Sequence, residues 1–132
     1  MTDNSPQDVA ARFLKHFIAG ELEAAQGLLA DSAVIDEPHD LPYSGRYVGP
    51  AGLLQYVRKL PKSLKISVES SEVSSAGDTV VVRLKLLFES RKNARCVRID
   101  AVELYTVTAG KISYVDVYYK GSAAVRELIA TA

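Results

Sequence analysis

The chain has 132 residues, with 16 basic and 16 acidic side chains, a formal net charge of zero and nearly half of its residues hydrophobic. This length fits one domain, residues 1–132, with a single sizeable core, and the balanced charge offers no basic excess to hold nucleic acid or an anionic membrane. The lone cysteine, Cys96, cannot form an internal disulfide, which fits a reducing cytoplasm.

The start, Met1 to Asp8, is polar and lacks the basic end and apolar run of a signal peptide. No apolar run nears the roughly 20 residues that span a bilayer. There is no Gly-rich phosphate loop, zinc-ligand spacing or repeat. Ser5 and Pro6 predict a helix start, because Ser caps well and Pro is tolerated at the first helical position. Val9, Phe13 and Phe17 then recur at four-residue steps and predict one apolar face to about Ala19, with Gly20 as the stop. Glu21–Leu29 reads as a second short helix, and Ala30–Ser32 as a break.

Ala33–Asp36 reads as a short strand. Asp36–Gly45 contains Pro38 and Pro42 and reads as a loop dense in ionisable groups. Gly49 and Pro50 lead into a third helix with Leu53, Leu54, Val57 and Leu60 as its apolar positions, ended by Pro61. A half-exposed strand begins at Leu64, where Ile66 and Val68 alternate with polar residues. Ala76–Asp78 is a turn, and Val80, Val82, Leu84, Leu86 and Phe88 form the inner row of the next strand. Cys96–Tyr119, rich in β-branched and aromatic residues and broken at Gly110, reads as a long hairpin. Gly121–Ala132 is a short amphipathic segment. Helices before an antiparallel meander mean α+β. The expected architecture is a curved antiparallel sheet wrapped around the N-terminal helices, forming a cone-shaped pocket.

Two carboxylates are out of place. Asp100 sits mid-strand between Ile99 and Ala101, where a buried charge costs several kcal/mol, roughly, unless paired or protonated. It is either a neutral hydrogen-bond donor in a pocket or a brace paired with Arg98, Arg83 or the backbone. Glu37 follows directly on an apolar strand, where burial would bring its pKa toward that of a general base. Asp36, His39, Asp40 and Asp116 are lesser candidates. The one His and scattered carboxylates form no regular metal-binding spacing. Cys96 has no Cys-His signature to mark it as a nucleophile.

The order of elements and several stretches carry a resemblance. These are Phe17–Glu23, Leu29–Pro38, Ser44–Pro50, Arg98-Ile99-Asp100 and Gly110-Lys111-Ile112. Over nearly its whole length the chain resembles the nuclear-transport-factor-2-like superfamily. Within it the chain looks like the ketosteroid-isomerase and polyketide-cyclase (SnoaL-like) branch, whose fold is a cystatin-like roll. The resemblance implies a cofactor-free enzyme, without metal, that abstracts a proton next to a carbonyl on a small apolar cyclic substrate. It would be an isomerase, or a cyclase or dehydratase. Glu37 would be the base and Asp100 a protonated donor to the developing enolate. The family's other donor, a Tyr on the first helix, is Phe13 here, so a nearby Tyr43, Tyr47 or Tyr56 would have to replace it. Phe13, Phe17, Tyr43, Tyr47, Leu53, Val57, Leu84, Val102, Val117 and Tyr119 are the expected substrate walls. A homodimer through the outer face of the sheet, toward which Asp116 would point, is also expected. The alternative is a non-catalytic small-ligand-binding or dimerisation protein of the same fold.

Overall fold

Ser5 caps α1 (Pro6–Ile18), its hydroxyl accepting a hydrogen bond from the Asp8 backbone N–H at 3.2 Å. The computed structural model describes residues 5–132, so the polar start Met1–Asn4 lies outside the described residues. Val9, Ala10, Phe13 and Leu14 form the buried stripe of α1. The second helix, α2 (Leu22–Gln26), is shorter than its sequence suggests. Leu29 leaves it and opens β1 (Leu29–Glu37), and the expected break is a bulge within that strand, between Leu29 and Val34.

A short strand, β2 (Gly45–Val48), follows the Pro-rich loop and leads straight into α3 (Gly49–Lys59). The long strands are β3 (Leu64–Ala76), β4 (Thr79–Ser90), β5 (Cys96–Thr108) and β6 (Lys111–Lys120), and α4 (Ser122–Thr131) closes the chain. The six strands form one curved, unclosed sheet in the order β2-β1-β6-β5-β4-β3. It departs from the all-antiparallel expectation at one place, because β1 runs parallel to β6.

The helices α1, α2 and α3 gather on the concave face, above the buried row Val80, Val82, Leu84, Leu86 and Phe88. Two glycines set how closely α3 lies. A Cβ at Gly49, whose φ is +71°, would meet the Asp31 carbonyl oxygen at 2.6 Å, and one at Gly52 would meet the Tyr47 backbone at 2.8 Å. Without side chains there, α3 presses onto β1 and β2 and turns Leu53 and Tyr56 toward the interior. α4 buries Val125 and Leu128 and packs on β4 and β5. Among the described residues no helix is long and apolar enough to cross a membrane.

The hairpin of β5 and β6 carries the decisive irregularity. Its turn pairs Thr108 with Lys111 and Val107 with Ile112, and a bulge then makes Thr106 pair with Tyr114. Beyond the bulge Tyr105 faces Val115, Glu103 faces Val117 and Ala101 faces Tyr119. A one-residue offset sends every later side chain to the opposite face from the one an unbroken register would give.

Candidate functional site

Between α1, α3 and the concave sheet lies a cavity of about 410 Å³. Its wall is mostly apolar and aromatic, with Phe13 and Phe17 from α1, Leu53 and Tyr56 from α3, Leu84 and Leu86 from β4, and Tyr105 and Tyr119 from β5 and β6. Ile18, 51% exposed, stands at its mouth. The aromatic rings brace one another: Phe13 and Phe17 stack with centroids 6.2 Å apart, and Phe13 meets Tyr105 edge-on at 5.9 Å.

Two carboxyl groups open into this space, Glu37 and Glu103. Along β1 the inward residues are Ile35 and Glu37, while Asp36 points outward. Asp36 is in register with Asp116, and Glu103 with Val117, so the two glutamates flank β6 at nearly the same level. Their backbones are two strand spacings apart, about 10 Å, with Val117 of β6 between them. Glu37 is 3% exposed, and among the described residues its Oε1 has no hydrogen-bond partner. Burial, then the charge of Glu103 and that of Asp36, push its pKa up to about 9, against the Tyr56 hydroxyl, which favours the carboxylate. Burial also raises Glu103, but the Tyr105 hydroxyl donates to its Oε1 at 2.7 Å and opposes the rise. Both carboxyls are thus pushed toward the protonated form, Glu37 by its burial and by the charge of Glu103 beside it.

A relay of tyrosines backs the wall. The Tyr43 hydroxyl donates to the Tyr119 hydroxyl at 3.0 Å, and the Tyr47 hydroxyl donates to the Tyr43 carbonyl at 2.8 Å. Tyr119 lines the cavity. Burial raises the pKa of Tyr43, Tyr56, Tyr105 and Tyr119, so all four are neutral phenols.

The expected site residues divide. Glu37, Phe13, Phe17, Leu53, Leu84 and Tyr119 line the cavity. Tyr43 and Tyr47 are buried one layer behind it, Val57 is half-buried away from it, and Val117 is buried between the two glutamates without reaching it. Asp100 and Val102 are corrections. They stand on the convex face, opposite Glu103 and Ala101, because the bulge in β6 reverses the alternation that would set them against Val117 and Tyr119. The Asp100 side chain is 62% exposed and pairs with Lys85 Nζ at 3.1 Å, not with Arg98 or Arg83. Glu103 was passed over in the sequence. Its signal is the odd-numbered row of β5, Val97, Ile99, Ala101, Tyr105 and Val107, which is apolar apart from Glu103, while the even row carries Arg98 as well as Asp100.

The loop candidates face outward. Asp36 accepts from the Tyr114 hydroxyl at 3.0 Å, lies 2.9 Å from His39 Nε2 and 3.5 Å from Arg46, and its pKa is lowered, chiefly by His39. His39 is 78% exposed, and Asp40 accepts from Ser122 at 2.7 Å. Asp116 accepts from the Tyr118 hydroxyl at 2.6 Å, and Cys96 is exposed. Among the described residues no three His, Cys, Asp or Glu side chains gather as a metal site requires.

The same architecture recurs in solved structures. TerC, crystallised with polyporic acid, superposes with a TM-score of 0.83 at 21% identity, covering 96% of this chain and 99% of TerC. A candidate polyketide cyclase from Pseudomonas putida gives 0.75 at 17% identity, covering 92% and 96%. A candidate isomerase from Bacillus subtilis gives 0.73 at 18% identity, covering 95% and 92%. A Xanthomonas campestris protein described as having a cystatin-like fold gives 0.81 at 16% identity, covering 92% and 95%. No curated protein matches the chain in sequence. The model of the SnoaL-like domain matches residues 10–115, most of the chain, and the protein belongs to the SnoaL-like domain family.

Proposed function

We propose that the protein is a cofactor-free isomerase or cyclase that takes a proton from carbon next to a carbonyl on a small cyclic substrate. The observation that carries this is the pair of carboxyl groups, buried Glu37 and half-buried Glu103, opening into one apolar cavity. Ionised Glu103 removes the proton. Negative charge then grows on the carbonyl oxygen, where the protonated carboxyl of Glu37 and the Tyr119 hydroxyl donate hydrogen bonds. The donors are fixed in a site that excludes water, where such bonds count for most. Glu103 returns its proton to a different carbon in an isomerisation; in a ring closure the enolate carbon attacks a second carbonyl, whose π electrons move to its oxygen, and that alkoxide takes the proton from Glu103. Tyr119, supported by Tyr43, takes the place of the hydroxyl missing at Phe13. This division of labour reverses the sequence expectation for Glu37, because a carboxyl with a pKa of about 9 is mostly protonated at neutral pH and serves better as donor than as base.

The cavity favours this reading over a filled dimerisation core, and loss of exchange in the variants separates it from a non-catalytic binder. The convex face of the sheet, with half-buried Val102 and Leu104 and exposed Tyr118, would be the contact of a cytoplasmic homodimer. The test is solvent-deuterium exchange into cyclic ketones and enones, followed by NMR. The protein should speed exchange, and Glu103→Gln should abolish the effect while keeping the fold. Exchange that is absent, or unchanged in Glu103→Gln, would refute the assignment.

A further inference from the structure

We propose that this cavity takes its substrate without negative charge, and that an acidic ligand enters only by carrying its proton in with it. The inference rests on reading the cavity as the ligand site and adds the charge class of what it holds.

The argument is an inventory of the charges that face the space. β1 contributes Glu37, β5 contributes Glu103 and Tyr105, β6 contributes Tyr119 and α3 contributes Tyr56. α1 contributes only apolar side chains, and from β3 and β4 the sole polar lining group is Ser67. Among the described residues every titratable group on the wall is therefore neutral or negative, and none is a Lys, Arg or His. Asp36, Tyr43 and Tyr47, behind the wall, are of the same kind. The basic residues nearby are turned away: Lys59 lies over the Tyr47 ring at 5.3 Å, Arg46 over the Tyr114 ring on the far side of β1, and Lys85 pairs with Asp100 on the convex face. A carboxylate or phosphate inside would lose its water, find no cation and face the charge of Glu103. An uncharged carbonyl compound has donors waiting in the phenols and the Glu37 carboxyl, whose Oε1 is buried and, among the described residues, unpartnered.

Two probes of nearly equal shape test this by calorimetry: acetylnaphthalene, an uncharged ketone, and naphthoate, its acid counterpart. At about pH 7.5 the ketone should bind at least tenfold more tightly. Its affinity should stay level as pH is lowered to about 5.5, while that of naphthoate rises about tenfold per pH unit as the neutral acid becomes available. Measured in two buffers of different ionisation enthalpy, naphthoate binding should take up close to one proton and ketone binding none. Glu103→Gln should narrow the ratio between the two probes, since one source of repulsion is removed. Naphthoate binding as well as the ketone at about pH 7.5, or binding with no proton uptake, overturns the inference and leaves the cavity as a ligand site. If neither probe binds at millimolar concentration, the reading of the cavity as a ligand site falls as well.

Discussion

Replacing Glu37 by Gln should make the protein less sensitive to alkali. Glu37 has a pKa of about 9 in the fold, against an ordinary value of 4.5. Below the ordinary value, folded and unfolded chains both hold the proton, and Glu37 costs the fold nothing through ionisation. As pH rises, the unfolded chain loses the proton while the folded one keeps it, so stability falls by about 1.4 kcal/mol per pH unit until the folded pKa is reached. Between about pH 5 and pH 8.5 the loss from this one group is about 5 kcal/mol, a large share of the roughly 5–15 kcal/mol that holds a domain together. Gln has nearly the same shape and does not titrate, although its amide brings a donor to a place with few acceptors. At low pH Glu37→Gln should therefore be about as stable as the parent or lower by about 1–2 kcal/mol. At high pH it should be the more stable of the two. Urea melts of both proteins across this range give the two slopes directly. Parallel slopes would mean that Glu37 is ionised inside the fold at neutral pH, and would remove the basis for casting it as the donor.

Four further substitutions have outcomes set by the same geometry. Tyr119→Phe should slow carbon-proton exchange by about 10²–10³-fold, the usual effect of losing one donor to a developing oxyanion, with little change in melting temperature; Tyr43→Phe should show a smaller loss in the same NMR assay. Asp100→Asn should leave exchange unchanged and shift stability by no more than about 1 kcal/mol, because its pairing with Lys85 is exposed; a large activity loss would contradict its place on the convex face. Gly52→Ala should cost about 1–3 kcal/mol in a urea melt, since the new methyl would meet the Tyr47 backbone at 2.8 Å and push α3 off β2.

Most of the architecture could be read from alternation and punctuation. The inner row from Val80 to Phe88, the cap at Ser5 and the stop at Pro61 are local signals, and the fold honours them. β2 escaped notice because four residues after a loop with two prolines carry too little pattern; its pairing with β1 defines it. Parallel pairing of β1 with β6 is likewise a long-range fact without a local mark. At the site, Glu37 was legible from its position at the end of an apolar strand. The choice between Asp100 and Glu103 turns on the register of the hairpin, because each carboxylate interrupts a row of β5 that holds apolar neighbours. Continued unbroken from its turn, the hairpin would bring Asp100 opposite Tyr119 and Val102 opposite Val117. The bulge beside Ser113 shifts the pairing by one, and Ser113 looks ordinary in the sequence. A signal was nonetheless present: Arg98 shares a face with Asp100, which marks that face as the wet one.

The parallel strand pair has a consequence for how the protein comes into being. Asp36 finds its partner at Asp116, eighty residues later. At a synthesis rate of about 5–20 residues per second, β1 waits roughly 4–16 s for β6 to be made. During that interval Ile35 and its neighbours have no permanent cover, and one edge of β1 is open to strands of other chains. Contacts this far apart along the chain also slow refolding, because a long loop must close before they repay the loss of freedom. The polar bulge at Asp31 and Ser32, exposed in the finished sheet, interrupts the apolar run of β1 at the stage when that strand is most liable to pair wrongly.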